Sequence, residues 1–491
     1  MELHEMNRHR GMSRRQAMMT GTLGASSLLA ASLPQPSHAA TRRPNLVFVF
    51  SDQQRRHAIG CMNEDPVVTP NTDRFADDGL LFTNALSASP LCTPYRATLL
   101  TGRYPHSTGI TGNGAGLRAC ERTIGTVLKS EGYQTAYIGK WHLFDNGIDK
   151  WIDWHFNQRG QYVPPDHRFG FDYWHATNCN HRTFWRLYYE NSEEPAICQP
   201  GWQPYHDIDM AVDYLKNVRR PDTPFALFVS MVPPHNTHGP GFVHHEVPEY
   251  QKNAPQLSRL QHHAPNEYED IYKGRILRRR KNVADNYGHY CLPGYFGACT
   301  GLDDQFGRLL DCIHNEGLDD DTIVVYTSDH GDMMGSHNRF GKSVWYEESI
   351  GIPFIIRWPG HVKTGREDIL FNSVDVMPTL LGLIGIPIPG TVEGSDLSDV
   401  FSDEMQSPPE SALIQLDRWR ALRTNRYTYV VSGNNKGRTF DRFLYDRDND
   451  PYQLHPLRAG DGSDTLLGDM QQHLETWLHR TGDPLAGSIS S

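Results

Sequence analysis

Four apolar runs end in side chains that can bind ions or move protons. RPNLVFVFSDQQ brings Asp52 and Gln53 to the end of one run, and DTIVVYTSDHGD brings Asp329 and His330 to the end of another. Two carboxylates, an amide oxygen and an imidazole form a donor set for a divalent cation. Calcium suits the oxygens, and the imidazole leaves manganese or another borderline metal open. Either pair alone is an ordinary strand-end cap, whereas two matched pairs point to a metal. QTAYIGKWH ends at Lys140 and His142, PFALFVSMVPPH ends at His235, and HNRFGKSVWYEES carries Lys342. Lysines neutralise developing negative charge and imidazoles transfer protons near neutral pH, so this set describes a pocket for an anion with a leaving group to protonate. Cys92, in SPLCTPYRATLLTGR, stands just ahead of Pro94 and Arg96. A thiol protease would need a histidine partner for it, and a buried structural cysteine is the plain alternative.

The elements that must position these groups are legible from patterning. Asn45 to Phe50 is apolar without polar alternation, which predicts a strand buried on both faces. The other runs repeat that pattern, with helix-like segments such as RTIGTVLKSEG and GLDDQFGRLLDCIHNEG between them. Buried strands alternating with helices predict an α/β fold: a large, mixed, mostly parallel sheet sandwiched by helices. Ligands in such folds bind beyond the carboxyl ends of the strands, where all the candidate groups fall. ALIQLDRWRALRTNRYTYVVSG and RFLYDRDNDPYQLHPL read as antiparallel strands, closed by a helix near TLLGDMQQHLETWLHRTG. They predict a smaller C-terminal α+β subdomain on an antiparallel sheet, beyond a linker near SDEMQSPPES, with the catalytic part at 41–405 and the subdomain at 406–491. The stretches around Asn146 to Arg220 and Gly239 to Tyr290 are rich in aromatics and histidine with weak periodicity, as expected of binding loops.

The chain has 491 residues, a formal charge of -11 and 21% charged residues. That balance argues against a nucleic-acid surface. One local exception, KGRILRRRK from Lys273 to Lys281, is either a solvated basic face or a contact for an anionic substrate. Residues 1–40 read as a twin-arginine export signal: two arginines in SRRQAMM precede a short apolar run and a small-residue cleavage site in SHAA. The run is too short to span a membrane, so the mature protein is expected in the periplasm or outside the cell, with no membrane contact after removal of the signal. The eight cysteines are scattered with no C-x-x-C pair, which argues against a zinc ribbon.

CTPYRATLLTGR resembles the signature of the type I sulfatases, which belong to the alkaline phosphatase superfamily, and the resemblance extends through PNLVFVFSDQQ, GYQTAYIGKWHL, RFGFDYW, PPHNTHGP, SDHGDMMGSH, SVDVMPTLLGLIGIP and LYDRDNDPYQL. The resemblance implies that a maturase converts Cys92 to formylglycine, whose hydrate is the nucleophile, with Pro94 and Arg96 in the maturation signature. It implies that Asp52, Gln53, Asp329 and His330 bind the metal, calcium being expected and manganese the alternative. Lys140 and Lys342 would hold sulfate, His235 would face the leaving oxygen, and His142 would assist sulfate loss. Tyr95 stands where many members have serine. Gln53 with His330 is also similar to phosphonate monoester and phosphodiester hydrolases of the same superfamily. The expected activity is therefore hydrolysis of sulfate esters, with sulfated carbohydrate as substrate. Phosphonate or phosphodiester hydrolysis is the alternative, and a non-catalytic binder of sulfated glycan a further one. The loop at His181, Arg182, Phe184 and Trp185 does not point to a substrate type.

Overall fold

The structure is a computed structural model that describes residues 43–145, 162–179, 181, 183–192, 197–236, 262–275, 277–284, 292–402, 404–433 and 440–489. The export signal lies outside the described residues, as do most of the loop from Gly239 to Tyr290, Arg182 and the side chain of Trp185. Residues Arg43–Ser491 cluster as one compact unit.

Strand β1 (Asn45–Asp52) is buried along its whole length, as its unbroken apolar run predicts. Leu46, Phe48 and Phe50 enter one core, and Val47 and Val49 enter another on the opposite face, because side chains alternate along a strand. On the first face lie the helices Cys92–Thr101, Ile124–Ser130 and Val376–Ile384. On the second lie Pro70–Asp77, Gln203–Asp213 and Leu292–Asn315.

The remaining strands among the described residues are β2 (Leu80–Phe82), β3 (Ala85–Leu86), β4 (Gln134–Lys140), β5 (Tyr173–Thr177), β6 (Phe184–Tyr188), β7 (Ile197–Trp202), β8 (Phe225–Pro234), β9 (Thr322–Ser328), β10 (Phe354–Arg357), β11 (Gly365–Glu367), β12 (Phe371–Asn372), β13 (Ser411–Leu416), β14 (Trp419–Thr424), β15 (Tyr427–Gly433) and β16 (Phe440–Asp446). The main sheet has eight strands in the order β11-β2-β10-β9-β1-β8-β4-β5. β10 pairs antiparallel with both neighbours and every other pairing is parallel, which is the mixed, mostly parallel sheet expected. β1, β4, β8 and β9 lie side by side and parallel, so their carboxyl ends open at one edge.

β13 to β16 form the antiparallel C-terminal sheet. The helix Asp464–Thr481 buries Met470, Leu474 and Leu478 against Leu413, Leu422 and Val431 of that sheet. Ala412, Ile414 and Val430 pack the other way, against Leu86 and Ile350. The stretch from Asn146 to Arg220 is less irregular than its weak periodicity suggests. It contains β5, which adds to the sheet edge beside β4, the hairpin β6–β7, and the helix Gln203–Asp213.

Candidate active site

The helix Cys92–Thr101 is buried throughout and has no side-chain N-cap. Pro94 falls in its first turn, where the missing N–H would have no intrahelical partner anyway. Gly102 ends it at φ 63°, a left-handed turn that a Cβ would disturb by meeting Val392 at 2.9 Å. Cys92 is thus the first residue of the helix, with its thiol at the positive end of the helix dipole. Its Sγ lies 3.2 Å from Lys342 Nζ, 3.3 Å from His330 Nε2 and 3.6 Å from Asp52 Oδ1.

Around that sulfur the structure gathers every site residue expected from sequence except His142, which stands one layer away. Arg96, one helical turn after Cys92, reaches Asp52 Oδ2 at 3.2 Å and Asp329 Oδ2 at 3.4 Å. It also donates to the Lys140 carbonyl at 2.7 Å and to Ser230 Oγ at 2.8 Å, which ties β4 and β8 to the helix. Lys140 Nζ donates to Asp52 Oδ2 and lies 3.3 Å from His181 Nε2. Lys342 Nζ donates to Gln53 Oε1 at 2.6 Å and lies 3.9 Å from Asp52 Oδ1. His235 stacks on His181 with centroids 4.1 Å apart, and its Nε2 is 4.0 Å from Asp52 Oδ1. His142 contacts the group through His181, their rings standing edge to face at 6.3 Å.

Asp52, Cys92, Asp329 and His330 offer ligand atoms that all lie within 4.8 Å of one another. Gln53 belongs to the same cluster, since its N–H donates to Asp329 Oδ1 at 2.9 Å. The donor set fits a divalent cation: two buried carboxylates, an amide oxygen and an imidazole nitrogen.

Electrostatics favour an anion beside such a cation. Lys140, Lys342 and Arg96 balance Asp52, Asp329 and Asp332, three charges against three, so a bound divalent cation would make the pocket net positive. Burial by itself would raise Asp52, but Lys140, His235, Lys342 and Arg96 outweigh it and hold the carboxyl well below its usual range. Asp329 is pushed up to about 6 by burial and then by the charge on Asp52. Burial lowers His330 to about 4. His142 is held well below the imidazole range by burial, then by Lys140 and Arg96, so it is neutral at pH 7.

Several residues of the site were not singled out in sequence. The Gln53 amide donates to Asp332 Oδ2 and, at 3.3 Å, to Asn236 Oδ1, which aims its oxygen toward Lys342. Asp332 accepts from the N–H groups of Met334 and Gly341 and sits 3.7 Å from His262 Nε2. Asp332 was within reach of a sequence reading, since SDHGD places it three positions after Asp329. His181 was visible only as part of a loop with no substrate assignment and His262 carried no signal, because both reach the site only by folding. The Lys273 to Lys281 stretch is not simply a solvated face: Arg280 is buried and paired with Glu64 and Glu348. Six cysteines among the described residues are free thiols: Cys61, Cys92, Cys120, Cys179, Cys299 and Cys312.

The family model for Sulfatase matches residues 44–386, which spans the main sheet and every residue of this site. The chain belongs to the sulfatase family. This sulfatase is a sulfuric ester hydrolase, and a second model, the C-terminal region of N-sulphoglucosamine sulphohydrolase, matches residues 335–480. It is 34% identical to an ulvan-active sulfatase of Formosa agariphila over 90% of this chain and 82% of the relative. It is 30% identical to an endo-4-O-sulfatase of Bacteroides thetaiotaomicron over 94% of this chain and 97% of the relative. A solved Bacteroides thetaiotaomicron 4S-sulfatase structure, from work on glycosaminoglycan metabolism, superposes with a TM-score of 0.80 at 29% identity, covering 91% of this chain and 98% of that one.

Proposed function

We propose that this sulfatase hydrolyses sulfate esters of a sulfated carbohydrate, using a formylglycine made from Cys92 and a divalent cation. The observation that carries the reading is the placement of Cys92 Sγ within 3.6 Å of Lys342, His330 and Asp52 at the start of a buried helix. Relatives whose names specify ulvan and 4-O-sulfate support the carbohydrate substrate. The overall reaction consumes one water and yields an alcohol and sulfate.

Formylglycine at position 92 would supply, as its hydrate, a nucleophilic hydroxyl and a second, acidic one. Asp52, Gln53, Asp329 and His330 would hold the cation, calcium or manganese, which would supply Lewis acidity. Arg96 locks the two carboxylates in place and steadies position 92. Lys140 and Lys342 flank Asp52 from its two oxygens and neutralise charge on the sulfate. His235, stacked on His181, donates a proton to the leaving oxygen. His142 is neutral, as a base that would take a proton from the second hydroxyl must be, and it meets the site through His181. Pro94 and Arg96 mark Cys92 for a maturase, and the arginine pair in residues 1–40 directs the folded, matured protein to the periplasm or beyond.

Tryptic mass spectrometry of the Cys92 peptide from the native host, with assay on 4-nitrophenyl sulfate, tests the reading. Formylglycine at position 92 and sulfate release are expected, and Cys92→Ala abolishes turnover with the circular dichroism spectrum unchanged. An unmodified thiol with no turnover overturns it. The Gln53 and His330 pair keeps one second reading in view, and faster hydrolysis of a matched aryl phosphonate monoester would favour it.

A further inference from the structure

The turn after β1 and the loop carrying Lys342 leave the reaction centre at the same sheet edge and meet again around a second concentration of charge. Arg56 follows Gln53 by three residues, so their Cα atoms are at most roughly 11 Å apart. Arg56, His57, Arg280 and Arg447 line a cleft of about 150 Å³ beside Tyr452. Its acids are already engaged. Glu347 accepts from Arg56 at 3.0 Å and from Arg423, with Arg447 3.4 Å away, and Glu64 accepts from Arg280 at 2.6 Å. Arg56 is 5% exposed, yet its Nε and Nη1 are buried without a hydrogen-bond partner. An unmade buried donor costs about 1–3 kcal/mol, more on a charged group, so an acceptor is expected there. Burial and then Arg280, Arg56, Arg55 and Arg447 hold His57 well below the imidazole range, which reports a positive field in the cleft.

A wider cleft of about 430 Å³ adjoins it, with Lys281, Arg339, His337 and Tyr346 in its lining. Arg280 and Lys281 bridge the two, both lying over the Tyr452 ring at 5.3 and 5.6 Å. His337 and Arg339 sit on the loop that delivers Lys342 to Cys92, five and three positions before that lysine. Glu64, Glu347 and Glu348 already pair with these arginines, and the unmatched Nε and Nη1 of Arg56 leave room for one more acceptor.

We propose that this basic cleft is a second anion subsite, which holds a sulfate or carboxylate elsewhere on the glycan whose sulfate ester is hydrolysed at position 92. It rests on the carbohydrate reading above and deepens it: the enzyme selects polyanionic chains over singly charged sulfate esters. Arginine suits the role, because its planar fork pairs with both anions.

The full-length Cys92→Ala protein keeps the cleft and removes turnover, so binding can be measured alone by calorimetry. The probes are chondroitin sulfate and heparin tetrasaccharides, 4-nitrocatechol sulfate and sodium sulfate. At least one tetrasaccharide is expected to bind about tenfold more tightly than the aryl sulfate. Adding Arg56→Gln with Arg447→Gln removes that advantage and leaves the aryl sulfate affinity unchanged. Arg447→Gln alone, with its side chain 20% exposed, serves where the double substitution fails to fold. The proposal is overturned if no tetrasaccharide outbinds the aryl sulfate, or if the advantage survives the substitutions in folded protein. It is also overturned if sodium sulfate binds through the same arginines as tightly as the tetrasaccharide, which marks a free-anion site. Wild-type enzyme inactive on every sulfate ester would strike the proposed function and leave this binding result standing.

Discussion

Gln53 and His142 both hold positive backbone φ angles, 75° and 61°, in a region that non-glycine residues avoid. Such conformations cost of order 1–3 kcal/mol each and persist where surrounding contacts enforce them. At Gln53 those contacts are Asp329, Asp332, Asn236 and the Tyr295 hydroxyl on its carbonyl. At His142 the backbone N–H is held by the Asn178 carbonyl. The Gln53 amide is held at the reaction centre by Lys342, Asp332 and Asn236, and the His142 ring meets the site through His181. Behind it lies His263, neighbour of His262, buried and lowered to about 4 by burial and then by His262. An imidazole's ordinary value is 6.5, so the unfolded chain binds the proton first. The contribution of His263 to stability is present above pH 6.5 and is lost as pH falls through 6.5 toward 4. Between pH 7 and pH 5 the loss amounts to about 2 kcal/mol. His263→Gln should therefore show a smaller drop in thermal midpoint between those pH values than the wild type. Equal drops would assign the acid sensitivity to other groups.

At the scale of elements, the parallel quartet β9-β1-β8-β4 is the device that assembles the site. Each strand ends in one or two site residues, and the helix starting at Cys92 lies against their carboxyl ends. The C-terminal sheet depends on its closing helix, since Leu474 is fully buried between that helix and the strands. Leu474→Ala should destabilise the protein by about 2–5 kcal/mol through lost burial and the cavity left behind. Activity at 25 °C should stay near wild type, because Leu474 packs into the core of the C-terminal sheet and not among the site residues. Loss of turnover in protein still folded at the assay temperature would show that the helix also shapes the site.

For the whole molecule, the balance of charge is opposite at the surface and at the centre. A chain of formal charge -11 gathers three cations, Arg96, Lys140 and Lys342, in a buried pocket at one sheet edge. Burial and then the charge on Asp52 push Asp329 up to about 6, and a divalent cation bound there would relieve both. Ligands that bind only the folded state stabilise it by mass action. Removal of metal with EDTA should abolish activity and lower the thermal midpoint, and added calcium or manganese should restore both. Full activity after exhaustive chelation would remove the cation from the mechanism.

The amino-acid order alone determined the alternation of buried strands with helices, the antiparallel C-terminal strands, and ten residues proposed for the site. Asp52, Gln53, Lys140, His142, His235, Asp329 and His330 were legible because they close four apolar runs, so local pattern and chemistry coincide. Cys92, Arg96 and Lys342 close no such run, and their roles came from the family resemblance. What only the tertiary structure decided is the company those residues keep. The short strands β2, β3, β11 and β12 are too brief to show a period, and the antiparallel direction of β10 is a matter of pairing. His181, Asn236, His262 and Asp332 support the site through contacts between distant segments, or between neighbours whose side chains turn inward only on folding. Arg56 is the clearest case. In sequence it is one arginine after QQR; folded, it is a buried cation with donors unmatched, because its partners come from chain segments hundreds of residues away.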